Sequence, residues 1–422
     1  MKNFISDNIK KCSIAKLYYL LVILGYTLTL FLKAMRPGVF ATFLMLLIGG
    51  ELLLNKAFSI KSLPDVLVVM YFVYHLLSVI WLTKAGYPVN VYVEEITASV
   101  LPMVFYFVGK YVKDGAKEWY KWYLIAMLTV GLLGLVLYVF APQFYNDWSY
   151  EWLYISKADA QTTRVRMNSV VGSTCLSFIT VAGMLAGSFF LGKGGKDTQD
   201  AKAAKKDTVF GIVCIVLCLL FAILSNQRSG LVAAGLVIVY INYLLFFQLH
   251  LIKKKYFWFE LIAVCVIFAL ICVVKFDFVL KFWWRIISLP DAIGERSEQW
   301  IAAVNNMYST WLGNGLGANG HKALFVEGAH VIADGGLVKI YCEDGVIGFS
   351  MFVFLIILIV KEGIKKIPTC YVEIGIIAIA ILQSIGSNML ALQLCTPIFW
   401  FAIGKIAGGI KNDSASLENT GV

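Results

Sequence analysis

The stretch VFGIVCIVLCLLFAILSNQRSGLVAAGLVIVYINYLLFF, residues 209–247, joins two apolar runs through the five polar residues SNQRS. With their flanks, residues 208–224 and 229–249 are each long enough to cross roughly 30 Å of hydrocarbon as a helix rising about 1.5 Å per residue. Five residues are too few for a folded loop. The stretch therefore reads as a transmembrane hairpin, and the same pattern extends to both sides of it.

Comparable segments lie near 15–33, 38–55, 64–83, 94–112, 120–141, 168–192, 256–275, 336–360, 370–389 and 392–409. The sequence thus predicts an all-α, polytopic integral membrane protein of about twelve helices. Composition agrees: 60% hydrophobic residues, 15% charged residues and a mean hydropathy of +0.78 exclude an ordinary soluble domain. Residues 1–275 supply nine spans with short loops, 276–335 one large extracytoplasmic loop with short amphipathic helices, and 336–422 three spans and a tail. The first span follows MKNFISDNIKKCSIAK without a small-residue cleavage site and reads as retained.

Orientation follows from the basic residues. Placing Lys10, Lys11, Lys61, Lys117, Lys205, Lys254, Lys365 and Lys411 inside puts both termini in the cytoplasm and assigns most of the net charge of +10 to topology. No nucleic-acid partner is called for. The nine cysteines fall in spans or on the cytoplasmic side, so no disulfide framework is implied.

The arginines sort differently. Arg36, Arg164, Arg166, Arg228, Arg285 and Arg296 are the only six, and all fall on the predicted outer side, whereas every inner basic residue is lysine. Lysine suffices for orientation; guanidinium adds a planar fork of donors suited to phosphate or carboxylate. The outer face is therefore expected to hold an anion. Snorkelling to the headgroups is the simpler alternative for any one of them.

The large loop opens with FDFVLKFWWRIISLP, whose Trp283 and Trp284 suit an interfacial belt around Arg285. In GERSEQWIAAVNNMYSTWLGNGLGANG, Trp300, Ile301, Val304, Met307, Tyr308 and Trp311 recur at helical spacing and predict one apolar face resting on the membrane. Gly313, Gly315, Gly317 and Gly320 permit tight turns and close backbone approach, without the strand or the lysine of a nucleotide site. The loop returns through His321, Glu327, His330 and Asp334, with Glu343 and Asp344 in the next helix, too far along it to share the immediate site of Asp334. No metal-ligand spacing such as HExxH occurs, so a positioned acid or base, His330 or Asp334, is expected and no metal or cofactor.

In their order and sidedness, RVRMNSVVGS, SNQRSG, RSEQW, GNGLG, the outer histidine and EDGVIG resemble the O-antigen polymerase and ligase proteins of bacterial envelopes, the Wzy and WaaL types. The resemblance covers about residues 164–360. It implies a metal-independent membrane glycosyltransferase of the bacterial cytoplasmic membrane. Its donor would be glycan linked to undecaprenyl pyrophosphate, with Arg228 and Arg296, and also Arg164, Arg166 and Arg285, at the pyrophosphate. The implied partners are that lipid-linked oligosaccharide, a glycan acceptor, membrane lipid and a polysaccharide chain-length regulator. A second repeat unit as acceptor makes a polymerase of O-antigen, capsule or exopolysaccharide; lipid A-core makes a ligase. The run from His330 to Asp334 lacks the asparagine that closely follows the histidine in ligases, which favours the polymerase. A flippase or other transporter is the alternative from a different class.

Overall fold

A computed structural model describes residues 13–32, 37–112, 116–141, 166–191, 198–248 and 289–418, with isolated positions between 257 and 287. The described residues are helical and contain no strand. In chain order the helices are α1 (Ser13–Leu32), α2 (Pro37–Leu54), α3 (Leu63–Leu77), α4 (Val79–Lys84), α5 (Val89–Glu95), α6 (Val104–Tyr111), α7 (Ala116–Phe140), α8 (Ser173–Ser188), α9 (Thr198–Ser225), α10 (Arg228–Tyr243), α11 (Leu289–Asn305), α12 (Gly336–Lys365), α13 (Ile367–Gly386) and α14 (Thr396–Glu418). A π turn over Ile96–Val100 and a 3-10 turn over Leu101–Met103 carry α5 into α6.

Among the described residues, seven helical stretches are long and apolar enough to cross a membrane: 63–84, 89–111, 116–140, 202–225, 228–248, 336–365 and 367–386. Three more apolar helices are shorter, at Ile14–Thr29, Gly38–Leu54 and Ser173–Ser188. The expected span at 256–275 lies outside the described residues, as does most of 276–288. The span expected at 168–192 shortens to α8. Before it, Ser169 and Gly172 take positive φ, the Met167 N–H donates to the Leu224 carbonyl at 3.0 Å, and the Ser169 hydroxyl donates to the Val130 carbonyl at 2.6 Å. This irregular backbone is tolerated because α7 and α9 satisfy its polar groups.

α8 is buried on nearly every side and forms the centre of the bundle. Elsewhere the helices meet through small residues, as expected where lipid removes most of the hydrophobic drive for association. α6 and α14 approach most closely: a Cβ on Gly404 would lie 1.9 Å from the Tyr106 carbonyl oxygen, and one on Gly109 2.1 Å from that of Phe401. Only glycine permits this backbone contact.

The bundle has two chemically distinct ends. At one, Lys16 pairs with Glu118 at 2.5 Å, Lys117 with Asp207, Lys405 with Glu373, and Lys110 with Asp65 at 2.5 Å. At the other stand Arg166, the residue before the Met167 to Leu224 bond; Arg228, which opens α10; and Arg296, whose guanidinium lies against Gly386 at the end of α13. The three described arginines thus lie away from these lysine pairs, although Lys322 and Lys339 stand at the arginine end too.

A candidate site at the arginine end

The segment GERSEQW folds into the middle of α11. Arg296 and Trp300, one turn apart, both hold the turn at 334–335. Arg296 Nη2 lies 2.7 Å from Asp334 Oδ2, and the Trp300 indole N–H donates to the Asp334 carbonyl at 2.7 Å. The guanidinium and carboxylate are about one-third and two-fifths exposed, so the pair contributes no more than about 1 kcal/mol and is open to exchange with another anion.

The expected apolar face of α11 is divided. Trp300 packs with Ala303, Met307, Ile332 and Cys342 under the loop, whereas Ile301 and Val304 face outward. The helix also stops at Asn305, so Met307, Tyr308 and Trp311 lie beyond it. The cause is local: the Asn314 amide oxygen accepts the Tyr308 N–H at 2.6 Å, and the Asn306 side chain donates to the Ala302 carbonyl.

GNGLGANG docks on an interruption of α12. Gly345 has φ 61° and ψ −169°, which no ordinary helical residue adopts, and the backbone groups freed there are taken up by the loop. Asn314 and Gly315 donate to the carbonyls of Cys342 and Glu343 at 2.8 and 2.9 Å; Val346 and Ile347 donate to those of Thr310 and Trp311 at 2.9 and 3.2 Å. A Cβ on Gly345 would meet the Trp311 oxygen at 2.4 Å. The close backbone approach expected of these glycines is therefore to the chain itself.

The same loop reaches the carboxylates that appeared too distant along α12. The Asn319 N–H donates to Glu343 Oε1 at 3.1 Å, and the Asn319 side chain donates to the His330 carbonyl at 2.7 Å. Asn388, just after α13, donates to the Ile332 carbonyl at 2.7 Å. His330 is thereby fixed by its backbone, half-buried, and its imidazole has no hydrogen bond among the described residues. His321 stands at the start of a 3-10 turn next to Glu95. Its side chain is exposed, yet the protein packed around it and then the Lys339 ammonium push its pKa below the ordinary value.

Beneath the loop lies a set of buried charges of which the sequence indicated only Glu343 and Asp344. Lys339 Nζ donates to Glu95 Oε1 at 2.7 Å and to Glu343 Oε2 at 2.8 Å, and the Ser99 hydroxyl donates to Glu95 at 2.6 Å. On α3, Tyr71 donates to Asp344 Oδ2 at 2.8 Å, and His75 Nε2 lies 3.2 Å from Asp344 Oδ1. Tyr71, Tyr74, His75 and Ser78 form one polar face within an apolar helix; that helical spacing was the available signal.

Of the expected arginines, Arg166 and Arg228 are half-buried at this end and Arg296 joins Asp334; Arg36, Arg164 and Arg285 lie outside the described residues. The Arg166 Nε is buried without a hydrogen-bond partner among the described residues, so part of its fork is uncommitted. Neither the family models nor the curated proteins include a match to this chain, so the resemblance stands on the motifs themselves.

Proposed function

We propose that the protein is a membrane glycosyltransferase that polymerises oligosaccharide repeat units carried on undecaprenyl pyrophosphate. The observation that carries this reading is the collection of Arg166, Arg228 and Arg296 at one end of an apolar helix bundle, with Arg296 held by an exchangeable carboxylate. The proposal includes twelve spans, residues 276–335 as an extracytoplasmic loop, and the arginine end facing outward from the bacterial cytoplasmic membrane.

In the proposed reaction an acceptor sugar hydroxyl attacks the anomeric carbon of the donor glycan with inversion. The bond to the phosphate oxygen breaks and undecaprenyl pyrophosphate leaves. Guanidinium groups offset the negative charge that grows on the departing oxygen. His330 is better suited than Asp334 to accept the hydroxyl proton, because the Asp334 carboxylate already accepts a charge-assisted hydrogen bond. Asp334 then orients Arg296 until the diphosphate arrives.

The test is glycan transfer by purified protein with a synthetic undecaprenyl pyrophosphate-linked repeat unit. Replacing Arg228 or Arg296 with Lys retains charge but loses the fork, so both Lys variants should fail nearly as badly as the Ala variants. Wild-type polymer length and rate in the Lys variants would overturn the diphosphate assignment.

A second reading rests on the buried charges of α3, α5 and α12, since ionisable residues inside a membrane bundle commonly mark ion pathways. On that reading the protein moves lipid-linked glycan across the bilayer. Proteoliposomes separate the two: polymer without translocation supports the transferase, translocation without polymer the transporter.

A further inference from the structure

A cavity of about 40 Å³ lies between α3, α12 and the turn at 388–396, lined among others by Tyr71, Ser99, Lys339, Glu343, Asp344 and Asn388. It has room for about three water molecules at roughly 10–15 Å³ each. Its lining is unusual in which polar groups remain available. Tyr71 spends its proton on Asp344, Ser99 on Glu95, and Thr396 on the Leu392 carbonyl. Asn388 spends an amide proton on the Ile332 carbonyl. Tyr71, Ser99 and Thr396 retain oxygen lone pairs only, whereas Asn388 keeps a second amide proton and Lys339, with two of its three protons on Glu95 and Glu343, keeps one. Asn388 Oδ1 and Asp344 Oδ1 are buried without a hydrogen-bond partner among the described residues, His75 making only an ion contact to the latter.

The charges do not balance. Glu95, Glu343 and Asp344 are three carboxylates against Lys339 and His75. His75 Nδ1 lies 2.8 Å from the Tyr71 carbonyl and Nε2 faces Asp344, a placement in which a protonated ring offsets one of the three carboxylates. One negative charge is left over; a neutral His75 would leave two. The other titratable groups nearby do not close the gap. Tyr74 donates to the Leu312 and Asp344 carbonyls, and Lys322 is committed to Glu94. His321 belongs to the solvent-facing turn.

We propose that this cavity binds one monovalent alkali cation. Hard oxygen donors with a single uncompensated charge suit such an ion. A proton shared among these carboxylates is the rival way to close the gap, and the salt comparison below separates the two. The site does not depend on the transfer reaction and serves equally under either functional reading.

The experiment is thermal unfolding of the purified full chain in lipid nanodiscs, at one pH and equal ionic strength, in sodium, potassium or choline chloride. The midpoint should rise saturably with sodium or potassium and not with choline. Asn388→Leu should weaken the apparent cation affinity by about tenfold or more, and Asp344→Asn should abolish the dependence. The wild-type titration stands even if Asp344→Asn fails to fold. Equal wild-type midpoints in all three salts would overturn the proposal and assign the missing charge to a proton.

Discussion

Replacing Lys339 with Met removes the one cation that bridges Glu95 and Glu343. The three side chains are 5%, 7% and 2% exposed, so water cannot take over its role. The two carboxylate oxygens it holds cannot be more than about 5.5 Å apart, lying 2.7 and 2.8 Å from one nitrogen. At an effective dielectric near 20, two bare charges at that separation repel by about 3 kcal/mol. Lost hydrogen bonds add to this, and the expected destabilisation is about 3–5 kcal/mol, the range for breaking a buried pair. Neutralising all three positions, with Glu95→Gln, Lys339→Met and Glu343→Gln together, leaves no stranded charge and should cost about 1–2 kcal/mol, much less than the single change. Reversible unfolding in mixed micelles, followed by tryptophan fluorescence, measures both. A Lys339→Met variant within about 1 kcal/mol of wild type, or a triple variant less stable than the single one, would refute the reasoning.

Four further outcomes are expected. In the glycan-transfer assay His330→Ala should lose about 10²-fold or more in rate, as for a removed acid-base group, and Asp334→Asn less; the reverse order would give the carboxylate the base role. Gly345→Ala should destabilise by more than about 2 kcal/mol, because its φ and the Trp311 oxygen both oppose a Cβ; an unchanged unfolding midpoint would contradict the docked-loop geometry. The lowered pKa of His321 means that the unfolded chain takes up its proton first, so stability should fall as pH drops below about 6.5; His321→Gln should lessen that loss in unfolding curves at several pH values. In a Cys-less background, Phe325→Cys should label with an impermeant thiol reagent on intact cells and Lys202→Cys should not. Phe325 is 87% exposed, whereas Asn319 on the same loop is buried and would be a poor probe.

The helices were legible because apolar runs of span length have one stable solution in lipid, and the three described arginines gather at one end, where Lys322 and Lys339 stand as well. The close approach made by GNGLG was legible too, but what it approaches was not, since the break at Gly345 sits inside a run that reads as one continuous helix. The buried charges were hidden for a different reason. Glu95 and Lys339 are 244 positions apart, and a lone charge in an apolar span has no local pattern that identifies its partner. The helical spacing from Trp300 to Trp311 was real in sequence and false in structure, because Asn314 captures the Tyr308 N–H and ends the periodicity. Asp334 read as one of two candidates for a positioned acid or base, whereas its pairing with Arg296 across 38 residues is a tertiary contact that no spacing rule supplies.

The contact of Gly109 and Gly404 with the opposite backbones of α14 and α6 has a consequence for biosynthesis. α6 leaves the ribosome nearly 300 residues before the helix it is shaped to meet. At roughly 5–20 residues per second, that is a wait of about 15–60 s in which a glycine notch and the carbonyls beside it face lipid. The early hairpins must keep their depth in the bilayer through that interval, and the Lys110–Asp65 pair, made within the first third of the chain, is available to hold them there.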